Sequence, residues 1–277
     1  MTVGYDPLFS VDGKVALVTG GFGQIGAEFV RSLHARGARV AVTSRMAEGD
    51  AGERLGIEAS PETLMAVQMD ITDQASVDRA LEQITSAWGV PTIVVNNAGI
   101  DTQPSAPPEV SGPFEQFPAE VFREVVETNL VGTFLVIQAA GRRMREAGLS
   151  GSIINIGSIY GMVSPVQDIY AYKEELTGVP FIKPVAYSAA KSGLYNLTRY
   201  CATYWGKAGI RVNTLTPSGV RRDTQDATFQ VNYTERMPIG RMAEADEYNG
   251  ALIFLASDAS AYMTGSNLVV DGGWTAW

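Results

Sequence analysis

Cysteine and histidine are almost missing from these 277 residues: the chain has one of each, Cys201 and His34. One cysteine excludes an intrachain disulfide and a cysteine-clustered metal. One histidine excludes histidine-based nucleophilic triads and histidine-rich metal centres, so no metal is expected. Cys201, in the helical stretch RYCATYW, reads as a buried structural thiol, and His34, on AEFVRSLHARG, as a surface residue without function. Positive charge is also scarce. With 21 Lys and Arg against 30 Asp and Glu, the net charge of −9 has the wrong sign for a nucleic-acid surface. No apolar run reaches the ~20 residues that span a bilayer. The opening MTVGYDPLFSVDGK lacks the basic and apolar regions of a signal peptide. The expectation is a cytoplasmic protein that binds neither nucleic acid nor membrane.

With 45% hydrophobic and 18% charged residues, the chain is long enough for one large α/β domain, 1–277, with a substantial core. Short β-branched runs alternate with longer helical patterns. The strand candidates are Lys14–Val18, Arg39–Thr43, Ala66–Met69, Thr92–Val95, Ser152–Ile156, Arg211–Leu215 and Asn267–Val270. Several are apolar on both faces, as parallel strands covered on both sides must be. This pattern predicts a Rossmann fold: a doubly wound, seven-stranded parallel sheet with helices on both faces. Three stretches break the rhythm, 101–118, 164–184 and 218–238. Each follows a strand and belongs at the carboxyl edge of the sheet, where such folds bind ligands, so we expect substrate loops there.

The glycine-rich turn LVTGGFGQIG follows the first strand. Gly20, Gly23 and Gly26 permit a tight turn, and the helix beginning near Ile25 offers amides and a favourable dipole to a phosphate. At the end of the second strand, where an acidic residue would accept the ribose 2′-hydroxyl of NAD, stand Ser44 and Arg45. Nothing there repels a 2′-phosphate and an arginine can pair with it, which favours NADP(H), with NAD(H) the alternative. In YSAAK, Tyr187 and Lys191 are four residues apart and share a helix face. An ammonium near the phenol is expected to lower its pKa towards neutrality and make it an acid/base for an alcohol or carbonyl oxygen. Ser158, ending INIGS at the carboxyl end of a strand, can hydrogen-bond the same oxygen. Tyr-x-x-x-Lys alone occurs by chance in many helices.

Together these pieces are specific. TGGFGQIG, MDIT, NNAG, TNLVGTF, INIGSIYG, YSAAK, GIRVNTLTP and LASDASAYMTGSNLVVDGG span nearly the whole chain. The chain resembles the short-chain dehydrogenase/reductase family, in its short single-domain branch. The resemblance implies that Asn129, Ser158, Tyr187 and Lys191 form a catalytic tetrad, with Asn129 anchoring a water that links Lys191 to solvent. It implies that Asp70, with Ile71, contacts adenine, that Asn96, Asn97, Ala98 and Gly99 line the cofactor, and that Lys191 holds the nicotinamide ribose. Pro217, Gly219 and Val220 follow the sixth strand as further contacts.

Three departures stand out. Gln24 occupies the family's middle glycine, giving the spacing of the longer, nucleotide-sugar-modifying branch, and is expected to offer an amide near the phosphates or nicotinamide. The interval from Ser158 to Tyr187 is far longer than usual, with Tyr170, Tyr172, Lys173 and Lys183 in it. Its lysines either recruit an anionic or heavily hydroxylated substrate or, for Lys173, pair with Glu174 or Glu175. Arg222 replaces a carboxamide-binding threonine, a role Thr224 could take. The leading function is an NAD(P)-dependent alcohol/carbonyl oxidoreductase acting on a sugar, sugar acid or polyol. An epimerase or dehydratase with tightly held NAD, and a non-catalytic cofactor-binding protein, are the alternatives. Apolar residues on several helix faces, including Val125, Phe134, Leu194 and Leu197, together with the family resemblance, imply a homotetramer, or else a dimer.

Overall fold

Seven short runs dominated by Val, Ile, Leu and Ala form the strands of one parallel sheet. They are β1 (Val15–Thr19), β2 (Arg39–Ser44), β3 (Leu64–Gln68), β4 (Ile93–Asn96), β5 (Gly151–Ile156), β6 (Ile210–Pro217) and β7 (Asn267–Val270). The computed structural model describes residues 6–46, 49–102 and 106–277. The expected strands are all present, most with ends moved by one or two residues, and their order is β3-β2-β1-β4-β5-β6-β7. After β3 the chain returns to the other side of β1, so β1 and β4 are parallel neighbours whose following connections leave towards opposite halves of the sheet. That reversal opens a crevice beyond their carboxyl ends.

The helices are α1 (Gln24–His34), α2 (Ala51–Leu55), α3 (Gln74–Trp88), α4 (Ala119–Val126), α5 (Gly132–Glu146), α6 (Ile159–Met162), α7 (Tyr172–Thr177), α8 (Val185–Trp205), α9 (Ala227–Thr234) and α10 (Asn249–Ala256). One face of the sheet is closed by α1 and α10, with Phe29, Leu33 and Leu252 in its core. The other is closed by α3, α5 and α8, around Leu81, Ile137, Met144 and Trp205. His34 is half-buried and its Nε2 lies 3.1 Å from Thr63 Oγ1, so it is a packed residue rather than a purely surface one. Cys201 is buried, as expected.

A third, smaller core lies above the carboxyl edge. Tyr160, Tyr170, Phe181, Phe229, Tyr233, Met237 and Trp274 pack together there. The 164–184 and 218–238 segments and the C-terminal turn therefore form one aromatic layer. The insert contains α7, whose Tyr172 hydroxyl donates to Asp226 Oδ2 at 2.5 Å while Lys173 pairs with the same oxygen at 3.2 Å. Asp226 also caps α9. The partner expected for Lys173, Glu174 or Glu175, is thus replaced by a carboxylate of the facing segment, which Lys173 reaches from the first turn of α7. Val125 and Leu194 are buried within the protomer and Leu197 partly so, whereas Phe134 and, on α8, Tyr200 and Tyr204 are exposed. The expectation of a second apolar face holds for fewer residues than the sequence suggested, because α4 and α8 bury theirs against each other. Among the described residues no helix is long and apolar enough to cross a membrane.

α8 is tied to the sheet by a buried polar relay. Asn96 Nδ2 donates to Asn155 Oδ1 at 2.8 Å, Asn155 Nδ2 donates to Thr198 Oγ1 at 2.9 Å, and Thr198 and Thr214 share a hydrogen bond of 2.8 Å. Substituting Asn155 leaves buried partners unsatisfied, at about 1–3 kcal/mol each. Asn155→Leu should therefore destabilise the fold by ~2–4 kcal/mol in urea unfolding. An unchanged midpoint would show that the relay contributes little.

Candidate active site

The glycine turn is shaped by close approaches. Gly20 has φ +62°, and a Cβ there would lie 2.9 Å from Ala98 Cα. A Cβ on Gly26 would lie 2.5 Å from the Gly20 carbonyl and 2.6 Å from Asn97 Nδ2, so the start of α1 sits directly on the turn. Asn97 Nδ2 donates to the carbonyls of Thr19 and Gly20 at 3.2 and 3.0 Å. Thr19 Oγ1 accepts from the amides of Asn97 and Ala98, both at 3.1 Å. No side chain caps α1, so its first amides remain for an anion. Gln24 has a use that spacing alone did not reveal. Its Nε2 donates to the Arg221 carbonyl at 2.6 Å, and its Oε1 accepts from Arg222 Nε at 2.7 Å. It joins the start of α1 to the segment after β6, across the cleft.

A cavity of about 990 Å³ runs from this turn in both directions. Every cofactor position expected from the sequence lines it except Asn96, whose side chain turns to Asn155 beneath the sheet edge. Strand alternation sends neighbours 96 and 97 to opposite sides. Thr224 is also outside the cavity, and Arg222 is inside. At one end stand Ser44, Arg45 and Asp70. Asp70 accepts from the amide and hydroxyl of Thr72 at 2.9 and 2.7 Å, which together with the Arg45 charge hold its pKa below the usual range despite partial burial. The Thr43 hydroxyl, at the same end, is buried without a partner among the described residues. A dinucleotide fits this layout: a polar recess, a glycine turn with open amides, and a reactive end. Among the described residues no cluster of His, Cys, Asp and Glu could hold a metal.

At the reactive end, Ser158 caps α6, and Tyr187 and Lys191 lie on α8. Gly161 lets the two helices touch, since a Cβ there would meet the Lys191 backbone at 2.8 Å. Lys191 Nζ donates to the Ile156 carbonyl at the tip of β5 at 2.6 Å and lies 5.8 Å from the centre of the Tyr187 ring. Asn129 is fully buried in a π-helical turn, Glu127–Val131. Its Oδ1 accepts from the Ile100 amide and its Nδ2 donates to the Ile100 carbonyl, both at 2.8 Å. It fixes the cavity wall and does not line the cavity itself.

Tyr195 was missed in the sequence. Its hydroxyl donates to the Ser158 carbonyl at 2.8 Å and contacts Thr216 at 2.9 Å, holding the serine in place. The signal was present, because Tyr187, Lys191 and Tyr195 recur every four residues on one helix face.

The Tyr187 pKa moves the opposite way from the lowering expected of it. Burial raises it, the Asp101 charge adds to the rise, and the Ser158 hydrogen bond and Arg222 charge oppose it without winning. A phenolate taken out of water is penalised more than these neighbours stabilise it. Lys191 is pulled down by the same burial, to about 8, against the support of Asp101.

A family profile described as enoyl-(acyl carrier protein) reductase matches residues 23–275. The D-threitol dehydrogenase of Mycolicibacterium smegmatis is 33% identical over 279 residues, covering 99% of this chain and 97% of that protein. The chain belongs to the short-chain dehydrogenase/reductase family. It is an NAD(P)-dependent oxidoreductase of alcohol and carbonyl groups, and this sets aside the epimerase reading raised by the glycine spacing. Among solved structures, a short-chain dehydrogenase from Leptospira borgpetersenii with bound NAD+ is 33% identical, with TM-score 0.83, covering 99% of this chain and 98% of that one. A gluconate 5-dehydrogenase from Burkholderia cenocepacia in complex with NADP and tartrate is 29% identical, with TM-score 0.80, and 98% of each chain is covered.

The depressed Lys191 gives a testable sign. Its folded pKa of about 8 lies below its ordinary 10.5. The buried ammonium therefore costs stability in full below pH 8, and the cost fades as pH approaches 10.5. The stability of Lys191→Met relative to the natural protein, both without cofactor, should be greatest near pH 7 and shrink towards pH 10 in urea titrations. A difference that does not vary with pH would contradict this.

Proposed function

We propose that the enzyme transfers hydride between NADP(H), favoured over NAD(H), and a polyhydroxylated small molecule: a sugar, sugar acid or polyol. The observation that carries this reading is the convergence of Ser158, Tyr187 and Lys191 on the end of a cavity whose other parts suit a dinucleotide. The nicotinamide, when bound, supplies the hydride acceptor or donor. Ser158 hydrogen-bonds the substrate oxygen and polarises it. Tyr187 exchanges the proton with that oxygen, and its raised pKa keeps it ready to donate in the direction of carbonyl reduction. Oxidation needs the proton removed, so its rate rises with pH. Lys191, anchored to Ile156, holds the nicotinamide ribose and places positive charge beside the phenol. Asn129 acts as a positioning residue through Ile100.

Ser44 and Arg45 support the cofactor preference, since no carboxylate stands where a 2′-phosphate would lie. The curated relative acting on threitol and the gluconate enzyme crystallised with tartrate support a hydroxylated substrate. The 164–184 and 218–238 segments, joined through Asp226, form the roof over that substrate. Exposed Phe134, Tyr200 and Tyr204 on α5 and α8 support a homotetramer, with a dimer as the smaller alternative.

Tyr187→Phe should remain folded and bind cofactor while losing turnover by at least ~100-fold, the scale of a lost acid/base. Near-normal turnover would refute its role. In equilibrium titrations NADP(H) should bind more tightly than NAD(H), and Ser44→Asp should reverse the order by repelling the 2′-phosphate. Tighter NAD(H) binding by the natural protein would refute the cofactor preference.

A further inference from the structure

The wall of the substrate end contains an ion pair that the chemistry above does not use. Asp101 follows Ile100, the residue clamped by Asn129, and Lys183 precedes α8. Lys183 is only 6% exposed and donates to Asp101 Oδ2 at 2.7 Å and to the Thr102 carbonyl at 2.8 Å. Its backbone is fixed as well, because its amide donates to Gln167 Oε1 at 2.8 Å and its carbonyl accepts from Gln167 Nε2 at 3.1 Å. Lys183 is therefore a support for the carboxylate rather than a mobile cation. Asp101 Oδ1 has no hydrogen-bond partner among the described residues. Asp101 lines the same cavity, and Lys183 Nζ, its partner, lies 5.7 Å from the centre of the Tyr187 ring, so the carboxylate stands beside the reacting pair and its charge is felt by Tyr187 and Lys191.

Tyr160 adds a second, independent observation. Its side chain lines the same cavity and is 7% exposed, with the ring edge-on to Trp274. Its hydroxyl is buried beside that of Tyr170 and has no hydrogen-bond partner among the described residues. A buried hydroxyl left without a partner costs stability, and a binding site is a usual reason to retain one.

Resting on the oxidoreductase reading, we propose that Asp101, fixed by Lys183, and the Tyr160 hydroxyl form a subsite for the hydroxyls next to the reacting carbon of a neutral polyol or sugar. An ionised carboxylate can only accept hydrogen bonds, and hydroxyls can donate them. A substrate carboxylate has no proton to offer at neutral pH and meets a like charge. The cations at this end are committed: Lys183 to Asp101, and Lys191 to Ile156. Arg222 is held through its Nε by Gln24, and its charge reaches Tyr187 from the glycine-turn side without touching Asp101. Of the three substrate classes, the subsite selects polyols and neutral sugars over sugar acids.

The test compares kcat/KM at saturating cofactor for a tetritol, butan-2-ol and the matching aldonate. The natural enzyme should prefer the tetritol to both. Asp101→Asn should reduce the tetritol-to-butan-2-ol ratio by ~10–100-fold, mainly through KM, and narrow the preference over the aldonate. Because this variant strands a buried ammonium, the double variant Asp101→Asn with Lys183→Met serves as its folded counterpart. Tyr160→Phe should lower the same ratio while leaving the urea midpoint unchanged or raised, a combination that a purely structural tyrosine would not give. Unchanged ratios in folded variants, or a natural preference for the aldonate, would overturn the subsite while leaving the oxidoreductase reading intact. Failure of the natural enzyme to reduce cofactor with any alcohol would overturn the reading itself and the subsite with it.

Discussion

The 2.6 Å hydrogen bond from Lys191 to the carbonyl of Ile156 joins the catalytic helix to the tip of β5. Everything at the reactive end follows from it. It sets the depth of α8 over the sheet, which places Tyr187 one turn before Lys191 and Tyr195 one turn after it. Tyr195 then holds the Ser158 carbonyl, and Ser158 caps α6. The relay from Asn96 through Asn155 and Thr198 to Thr214 secures the same helix lower down. A buried lysine is costly, and this one retains its place because a backbone carbonyl and the nearby Asp101 charge offset part of that cost.

The two ends of the cavity present different polar groups. Arg45 and the open amides of α1 stand where phosphates are expected, and Arg222 is tethered beside them by Gln24. The substrate end is governed instead by Asp101, whose field raises Tyr187 and supports Lys191. The same carboxylate thus tunes the acid/base and meets the substrate. A roof of aromatic residues, from Tyr160 to Trp274, gives these polar groups a dry surround in which hydrogen bonds are stronger.

Much of this was legible in the sequence, for physical reasons. Strands buried on both faces are apolar along most of their length, so β1, β4 and β5 announced a covered parallel sheet. The i, i+4 spacing of Tyr187 and Lys191 places both on one face of any helix, and only glycine fits where Gly20 meets Ala98. What was hidden depends on contacts distant in the chain. Gln24 was expected to turn its amide to the cofactor, but its partners are Arg221 and Arg222, nearly 200 residues on. Lys173 could be assigned to Glu174 or Glu175 only because Asp226 lies in another segment. The direction of the Tyr187 shift depends on burial, which no local spacing reports. Tyr195 was readable in principle, one helical turn beyond a motif that ends at Lys191.

The account rests on direct hydride exchange with a hydroxylated carbon at Tyr187 and Ser158. The most direct test supplies a polyol deuterated at the reacting carbon and follows label into the reduced nicotinamide by mass spectrometry. One deuterium per reduced cofactor, on a single face of the ring and with a primary isotope effect on kcat/KM, is the predicted result. Reduced cofactor without label, or turnover of the polyol without any net reduction, would contradict it.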